Sequence, residues 1–249
     1  MKTNLKPWEI VSDILKLCAS RVKPGITTLE LDEIAEKRLK ELGGESCNKG
    51  YKPEYAKVPY PATICTSVND VIVHGVPNNE PLRDGDIVNI DIGVKKDGLC
   101  GDASLTVGVG ELSNRNSRLI YYAKKVLEES IKLIKPGVEI REISRFIENY
   151  SKSRGFEPNI WYGGHGIGKE MHEAPFIHNI ELPNIGKEQF EVGKMYCIEP
   201  IITFKGGDKE GYIDKDGWSF RTRDGKNSAF FEHQVLITKN GCEILTTHI

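Results

Sequence analysis

The sequence predicts an α+β protein made of two fused, similar α/β halves, and three observations predict it. The stretch VKPGITTLELDEIAEKRLKELGG from Val22 matches IKPGVEIREISRFIENYSKSRGF from Ile134 at an offset of 112, with Ile34 against Phe146 and Gly43 against Gly155. A second match, RDGDIVNID against EVGKMYCIE at an offset of 108, sets Asp91 against Glu199. Between them lies VNIDIGVKKDGLCGDASLTV, which reads as one β-hairpin. A loop deletion accounts for the change of offset. The expectation is a single compact unit over 1–249 with internal pseudo-two-fold symmetry, its halves about 5–108 and 109–249. A cleft between such halves is where a site is expected.

The elements follow in order. Trp8 to Cys18 carries a helical pattern, and the Pro24-Gly25 turn opens an amphipathic helix that stops at Gly43. SVNDVIVHGVP then places His74 ahead of the hairpin. In the first hairpin strand Val88, Ile90, Ile92 and Val94 alternate with Asn89, Asp91 and Gly93. If Asp97-Gly98 is a two-residue loop, Asp91 faces Ser104 and Gly93 faces Asp102. The two aspartates are then same-face diagonal neighbours roughly 7–8 Å apart. That is too wide for a shared proton but suits carboxylates converging on metal ions roughly 3.5–4 Å apart. The plainer reading is a polar sheet edge. In the second half Leu119 to Ile134 reads as a helix, and Pro136-Gly137 opens another that ends at Gly155.

Three further segments carry chemistry. YGGHGIGKEMHEAP holds His165 among glycines, with His172 seven residues on. Its glycine spacing fits neither a dinucleotide fingerprint nor a P-loop, so the glycines let backbone approach closely around His165. MYCIEPII puts Glu199 at the end of an apolar strand, and SAFFEHQVLIT puts Glu232 within another. A carboxylate in such surroundings needs a partner. For Glu232 the partner is a metal, an internal salt bridge to Arg221 or Arg223, or its own proton. Asp91, Asp102, Glu199 and Glu232 together carry −4. Two divalent ions supply +4 and leave neutral His165 as a fifth ligand. Such donors suit Mn, Fe, Co or Zn. His74 and His172 read as substrate-facing acid/base or hydrogen-bonding groups.

Bulk properties exclude other classes. A net charge of −2 gives no electrostatic case for nucleic acid or an anionic membrane. No apolar run approaches the roughly 20 residues of a membrane span, and the N-terminus lacks a secretory segment. The cysteines at 18, 47, 65, 100, 197 and 242 have no regular spacing and fit reduced thiols. A cytoplasmic enzyme is expected.

Taken together, SVNDVIVHGVP, NIDIGVKKDGLCGDAS, GGHGIGKEMHEAP, CIEP, DKDGW, SAFFEH and NGCEILT resemble the type I methionine aminopeptidases, in family order and with comparable spacing, from about residue 5 to 247. The resemblance implies a pita-bread fold, two pseudo-two-fold-related α/β halves around a central antiparallel sheet. It implies that Asp91, Asp102, His165, Glu199 and Glu232 hold two divalent ions (Co, Mn, Fe or Zn), which activate water. Glu199 would shuttle the proton, and His74 and His172 would contact substrate and stabilise the tetrahedral intermediate. Tyr60, Cys65 and Trp218 match the methionine pocket, with Met171 as a flexible wall, whereas Lys57 stands where an aromatic residue is common. The implied substrates are N-terminal methionyl peptides and nascent polypeptides, with the ribosome as a partner and the chain a monomer. The bare bacterial catalytic unit is expected, without a zinc-finger extension or a type II insertion.

Two other functions compete. A proline-specific aminopeptidase or dipeptidase shares the fold and ligand pattern but usually carries a substantial N-terminal domain, whereas the repeat here starts by about residue 8. A non-catalytic pita-bread binding protein would have lost ligands, and none is missing.

Overall fold

The computed structural model describes residues 4–54, 56–205 and 211–247. The rest of the expected 1–249 unit (1–3, 55, 206–210 and 248–249) lies outside the described residues. The chain begins with α1 (Pro7–Ala19), α2 (Thr28–Leu42), β1 (Glu45–Ser46), β2 (Cys65–Val68), β3 (Val71–Val73), β4 (Ile87–Lys96) and β5 (Leu99–Gly108). Two helices follow, α3 (Asn114–Ile131) and α4 (Ile140–Ser153), then β6 (Phe156–Pro158), β7 (Gly164–Ile167), β8 (Glu173–Ile177) and β9 (Met195–Ile198). The last strands are β10 (Ile201–Phe204), β11 (Tyr212–Ile213), β12 (Phe220–Arg221), β13 (Ser228–Phe230), β14 (His233–Thr238) and β15 (Gly241–Ile244).

Local chemistry sets the helices. In α1, Pro7 occupies the first turn, where its missing N–H costs nothing, and Glu9 accepts from the Lys6 backbone N–H at 2.7 Å. Thr27 caps α2 in a reciprocal capping box with Glu30, and Gly43 ends it at φ +70°, as the sequence predicts. The apolar faces of all four helices bury into one core with Val88, Ile90, Ile92 and Val94 of β4. This one-sided burial leaves Asn89, Asp91 and Gly93 pointing the other way.

Every recorded strand pairing is antiparallel. In one sheet β4 pairs with β1, β2 and β5, and another runs β15-β14-β9-β7-β8. The hairpin has the predicted register, Asp91 opposite Ser104 and Gly93 opposite Asp102. Asp97 and Gly98 both have positive φ, as the favoured two-residue hairpin turn requires. The elements matched by the repeat start in phase: Thr28 and Ile140 are 112 apart, and Ile87 and Met195 are 108 apart.

The two sheets meet along the outer edge of β5. Glu232 N–H donates to the Ser104 carbonyl at 3.1 Å, and Asp102 N–H donates to the Gln234 side-chain oxygen at 3.2 Å. Asn89 and Thr106 both donate to the Phe230 carbonyl, at 3.0 and 2.7 Å. This seam brings the hairpin carboxylates against those of the second half.

The structure differs from sequence expectation at Glu232 and at helix α3, and agrees with it at the glycines around His165. Glu232 lies between β13 and β14, held by an isolated bridge to Ser104, rather than inside a strand. Helix α3 begins at Asn114 because Ser113 caps it, accepting from Asn116 N–H at 3.1 Å, and it ends at Ile131 rather than Ile134. The glycines around His165 admit neighbouring backbone: a Cβ on Gly164 would lie 2.1 Å from the Cys197 carbonyl oxygen, and one on Gly166 2.5 Å from that of Ala174. All six cysteines are free thiols. No described helix is long and apolar enough to cross a membrane.

Candidate active site

Eleven of the residues singled out in the sequence line one cavity of about 730 Å³: Asp91, Asp102, His165, Glu199 and Glu232, with His74, His172, Tyr60, Cys65, Met171 and Trp218. Strand alternation and the seam explain the convergence of the acids. Asp91 and Asp102 come from the two arms of the hairpin, Glu199 follows β9, and Glu232 is pinned to Ser104 beside Asp102. Strand β7 lies next to β9, with His165 opposite Cys197.

The electrostatics are those of a site lacking counter-charge. Burial pushes the Asp91 carboxyl up to about 7. Asp102 is raised well above its usual range by burial and then by Asp91. Glu199 is raised by burial, then by Asp91 and Asp102; Glu232 is raised by burial, then by Asp102 and Glu199. No Lys or Arg is among the described residues lining the cavity. The structure gives the salt-bridge alternative for Glu232 no support: Arg221 pairs with Asp70 at 2.8 Å and Asp214 at 2.7 Å, and neither Arg221 nor Arg223 is among the described residues lining the cavity. Asp102 Oδ1 and Glu232 Oε1 are buried without a hydrogen-bond partner, an arrangement costly for a folded protein unless something else satisfies it.

His165 is prepared as a donor. Its Nδ1 lies 2.9 Å from the Gly166 carbonyl oxygen, which can only accept, so Nδ1 carries the proton. The lone pair of Nε2 is then directed into the site, 3.8 Å from Asp102 Oδ2. Burial, then His172, holds the imidazole pKa down to about 3, so the ring is neutral. One donor atom each from Asp102, His165, Cys197 and Glu232 lies within 4.8 Å of the others. Three carboxylate or imidazole donors with orphaned oxygens fit a divalent cation. Cys197 is a member that the sequence reading left among ordinary thiols; its pairing opposite His165 is the signal that reveals it.

Above this floor the wall is aromatic and sulfur-rich. Tyr60 meets Trp218 edge-on with ring centres 5.2 Å apart, and its hydroxyl donates to the Gly75 carbonyl at 2.8 Å. Asn48 donates to Cys65 Sγ at 3.3 Å and accepts from Gly93 N–H at 2.9 Å. A Cβ on Gly93 would sit 2.5 Å from Met171 Sδ, so this glycine makes room for the methionine wall. Lys57 is exposed and does not line the cavity. Tyr51, six residues earlier in the same loop, does line it and was missed because the path of that loop is not readable from local sequence. Tyr51 also reaches His172, its hydroxyl 3.3 Å from Nδ1. His74, in the left-handed region at φ 57°, meets Tyr162 edge-on at 5.0 Å and is held down to about 4 by burial.

The sequence matches metallopeptidase family M24 over residues 6–239. It is 38% identical over 244 residues to the methionine aminopeptidase of Aquifex aeolicus, covering 97% of this chain and 93% of that protein. It is 39% identical to the methionine aminopeptidase of Chlamydia pneumoniae, covering 96% and 79% respectively. The crystal structure of the Thermotoga maritima methionine aminopeptidase superposes with a TM-score of 0.90 at 36% identity, over 97% of this chain and 94% of that one. The prolidase of Pyrococcus horikoshii shares the fold with a TM-score of 0.74, at 21% identity and over 60% of its own length.

Proposed function

Because the chain belongs to metallopeptidase family M24, we propose that it acts as a methionyl aminopeptidase, removing the N-terminal methionine from nascent proteins and peptides. It is a hydrolase of the metallo-aminopeptidase type, built on the pita-bread fold, and it binds divalent metal. One observation carries the reading: Asp91, Asp102, His165, Glu199 and Glu232 line the same cavity as Tyr51, Tyr60, Cys65, Met171 and Trp218, and donor atoms of Asp102, His165 and Glu232 lie within 4.8 Å of one another. That wall suits a thioether, since sulfur–aromatic contacts add to simple apolar burial.

Asp91, Asp102, His165, Glu199 and Glu232 would hold two divalent ions, their −4 matched by +4; Co, Mn, Fe and Zn all suit these donors. When bound, such ions supply a Lewis acid for the scissile carbonyl and a water of lowered pKa. The protein groups do the rest. Glu199, held protonatable by burial and then by Asp91 and Asp102, accepts a proton from the attacking water and delivers it to the leaving amine. The Tyr51 hydroxyl lies 3.3 Å from His172 Nδ1; by donating there it would leave Nε2–H to donate where negative charge develops on the carbonyl oxygen. Neutral His74, whose ring centre lies 6.3 Å from that of Trp218, supplies a second contact to the substrate. The same proposal takes residues 1–249 as one catalytic unit with halves about 5–108 and 109–249, acting as a monomer in the cytoplasm on chains emerging from the ribosome.

The test is a peptide panel, Met-Xaa and Xaa-Pro, assayed with Mn, Fe, Co and Zn in turn. Methionine release from Met-Xaa peptides with small second residues is expected. Release from Xaa-Pro peptides alone would transfer the chain to the proline-specific branch, and no release with any metal would favour a binding role.

A further inference from the structure

We propose that Trp161, Phe176 and Ile213 form an outer subsite that selects substrates by a large apolar side chain at their third or fourth position. The proposal rests on the methionine-removal reading and extends it outward from the scissile bond. These three side chains are 57%, 39% and 51% exposed, yet all line the same cavity as the carboxylates and His172. They come from three separate segments: the turn before β7, strand β8, and strand β11. A single exposed apolar residue is ordinary, whereas several converging on one cavity mouth mark a binding surface.

The rim is fixed to the catalytic floor. Phe176 stands directly opposite His165 in the β7–β8 register, and its ring packs on His178 with centres 4.5 Å apart. The Trp161 backbone N–H donates to Asn159 Oδ1 at 2.9 Å, which sets the start of that turn. The cavity, about 730 Å³, lies in the range that encloses a drug-sized ligand, more than one methionine side chain. With methionine against Tyr51, Tyr60 and Trp218 and the scissile bond at Glu199, the chain must run outward. An extended peptide advances about 3.3 Å per residue, so the residues after the second pass the rim. No Lys or Arg among the described lining residues offers a partner to an acidic side chain there. Glu173 also lines the cavity and is the one feature that would favour a basic side chain instead.

The experiment uses the metal-loaded full chain with Met-Gly-Phe-Gly, Met-Gly-Gly-Phe, Met-Gly-Lys-Gly and Met-Gly-Gly-Gly. At least one Phe peptide is expected to exceed Met-Gly-Gly-Gly in kcat/KM by about five- to tenfold, through KM, as partial burial of an aromatic ring predicts. In Trp161→Ala and Phe176→Ala that ratio falls toward one, while Trp161→Phe keeps most of it. Because the readout is a ratio within one preparation, a loss of folded protein does not imitate it. Equal values for the Phe and Gly peptides, a ratio unchanged in both alanine variants, or a preference for Lys would overturn the subsite and leave methionine removal standing. No methionine release from any of the four would overturn both.

Discussion

Asp102 and Glu232 each leave one carboxylate oxygen buried without a partner, and this residue-scale fact is the strongest mark of a metal in the protein. Asp102→Ala and Glu199→Ala are each expected to lower turnover at least about 10³-fold while the fold survives, because each removes a repelling charge from the metal-free floor. Circular dichroism and a Met-Ala-Ser assay at saturating metal check this; near-wild-type rates would contradict it. The pocket gives a sharper contrast. Tyr51→Ala is expected to raise KM for Met-Ala-Ser by about tenfold, and Lys57→Ala to leave it within about twofold, since only Tyr51 reaches the cavity. The ligand candidates were legible because buried acids and a glycine-framed histidine are anomalous in apolar strands. Tyr51 was not, because a loop carries no periodicity to say which of its residues turns inward.

At the scale of elements, the seam between the hairpin and the second sheet does the assembling, and Gln234 is its fully buried clasp. Its side-chain oxygen accepts from Asp102 N–H at 3.2 Å, and its amide nitrogen donates to the Cys100 carbonyl at 3.4 Å. Gln234→Ala therefore strands two buried backbone groups, at about 1–3 kcal/mol each, and frees the strand that carries Asp102. A lower unfolding midpoint together with about tenfold weaker metal binding by calorimetry is expected; a drop in stability with unchanged metal affinity would show that the clasp does not position the site. The hairpin register was readable because Asp97-Gly98 favours a two-residue loop, and both residues take the positive φ that loop requires. The seam was not, since sequence alternation fixes which way a side chain faces and not which distant strand edge it meets. Helix α3 shows the same limit on a smaller scale: its polar first turn, Asn114 to Ser117, hides its start from any hydrophobic pattern.

For the whole molecule, the four acids make the metal-free protein sensitive to pH. Burial holds Asp91 up to about 7, and Asp102, Glu199 and Glu232 are raised by burial and by one another. Their unfolded values lie near ~4, so the folded state binds more protons and stability falls as pH rises. His74, His165 and His233, held down to about 4, 3 and 4, act in the opposite sense. Their effect is still growing at about pH 6.5 and is complete only by about pH 8. The acid contribution is read by difference: between about pH 5 and 7 the unfolding temperature of metal-stripped protein is expected to fall, relative to that of metal-stripped Asp91→Asn, as the pH rises. An ion at about 100 times its Kd adds ~2.7 kcal/mol, and the gain should be larger at pH 8 than at pH 6.5. Parallel profiles of the wild type and Asp91→Asn without metal would contradict this.

The central claim is that this constellation is a metal site that releases N-terminal methionine. It is tested most directly by titrating metal-stripped protein with Mn or Co while following methionine release from Met-Ala-Ser. The account predicts no release without metal, a rise to a plateau as the ion is added, and no rise in Asp102→Ala. Undiminished release from rigorously stripped protein, or no release at any metal concentration, would contradict it.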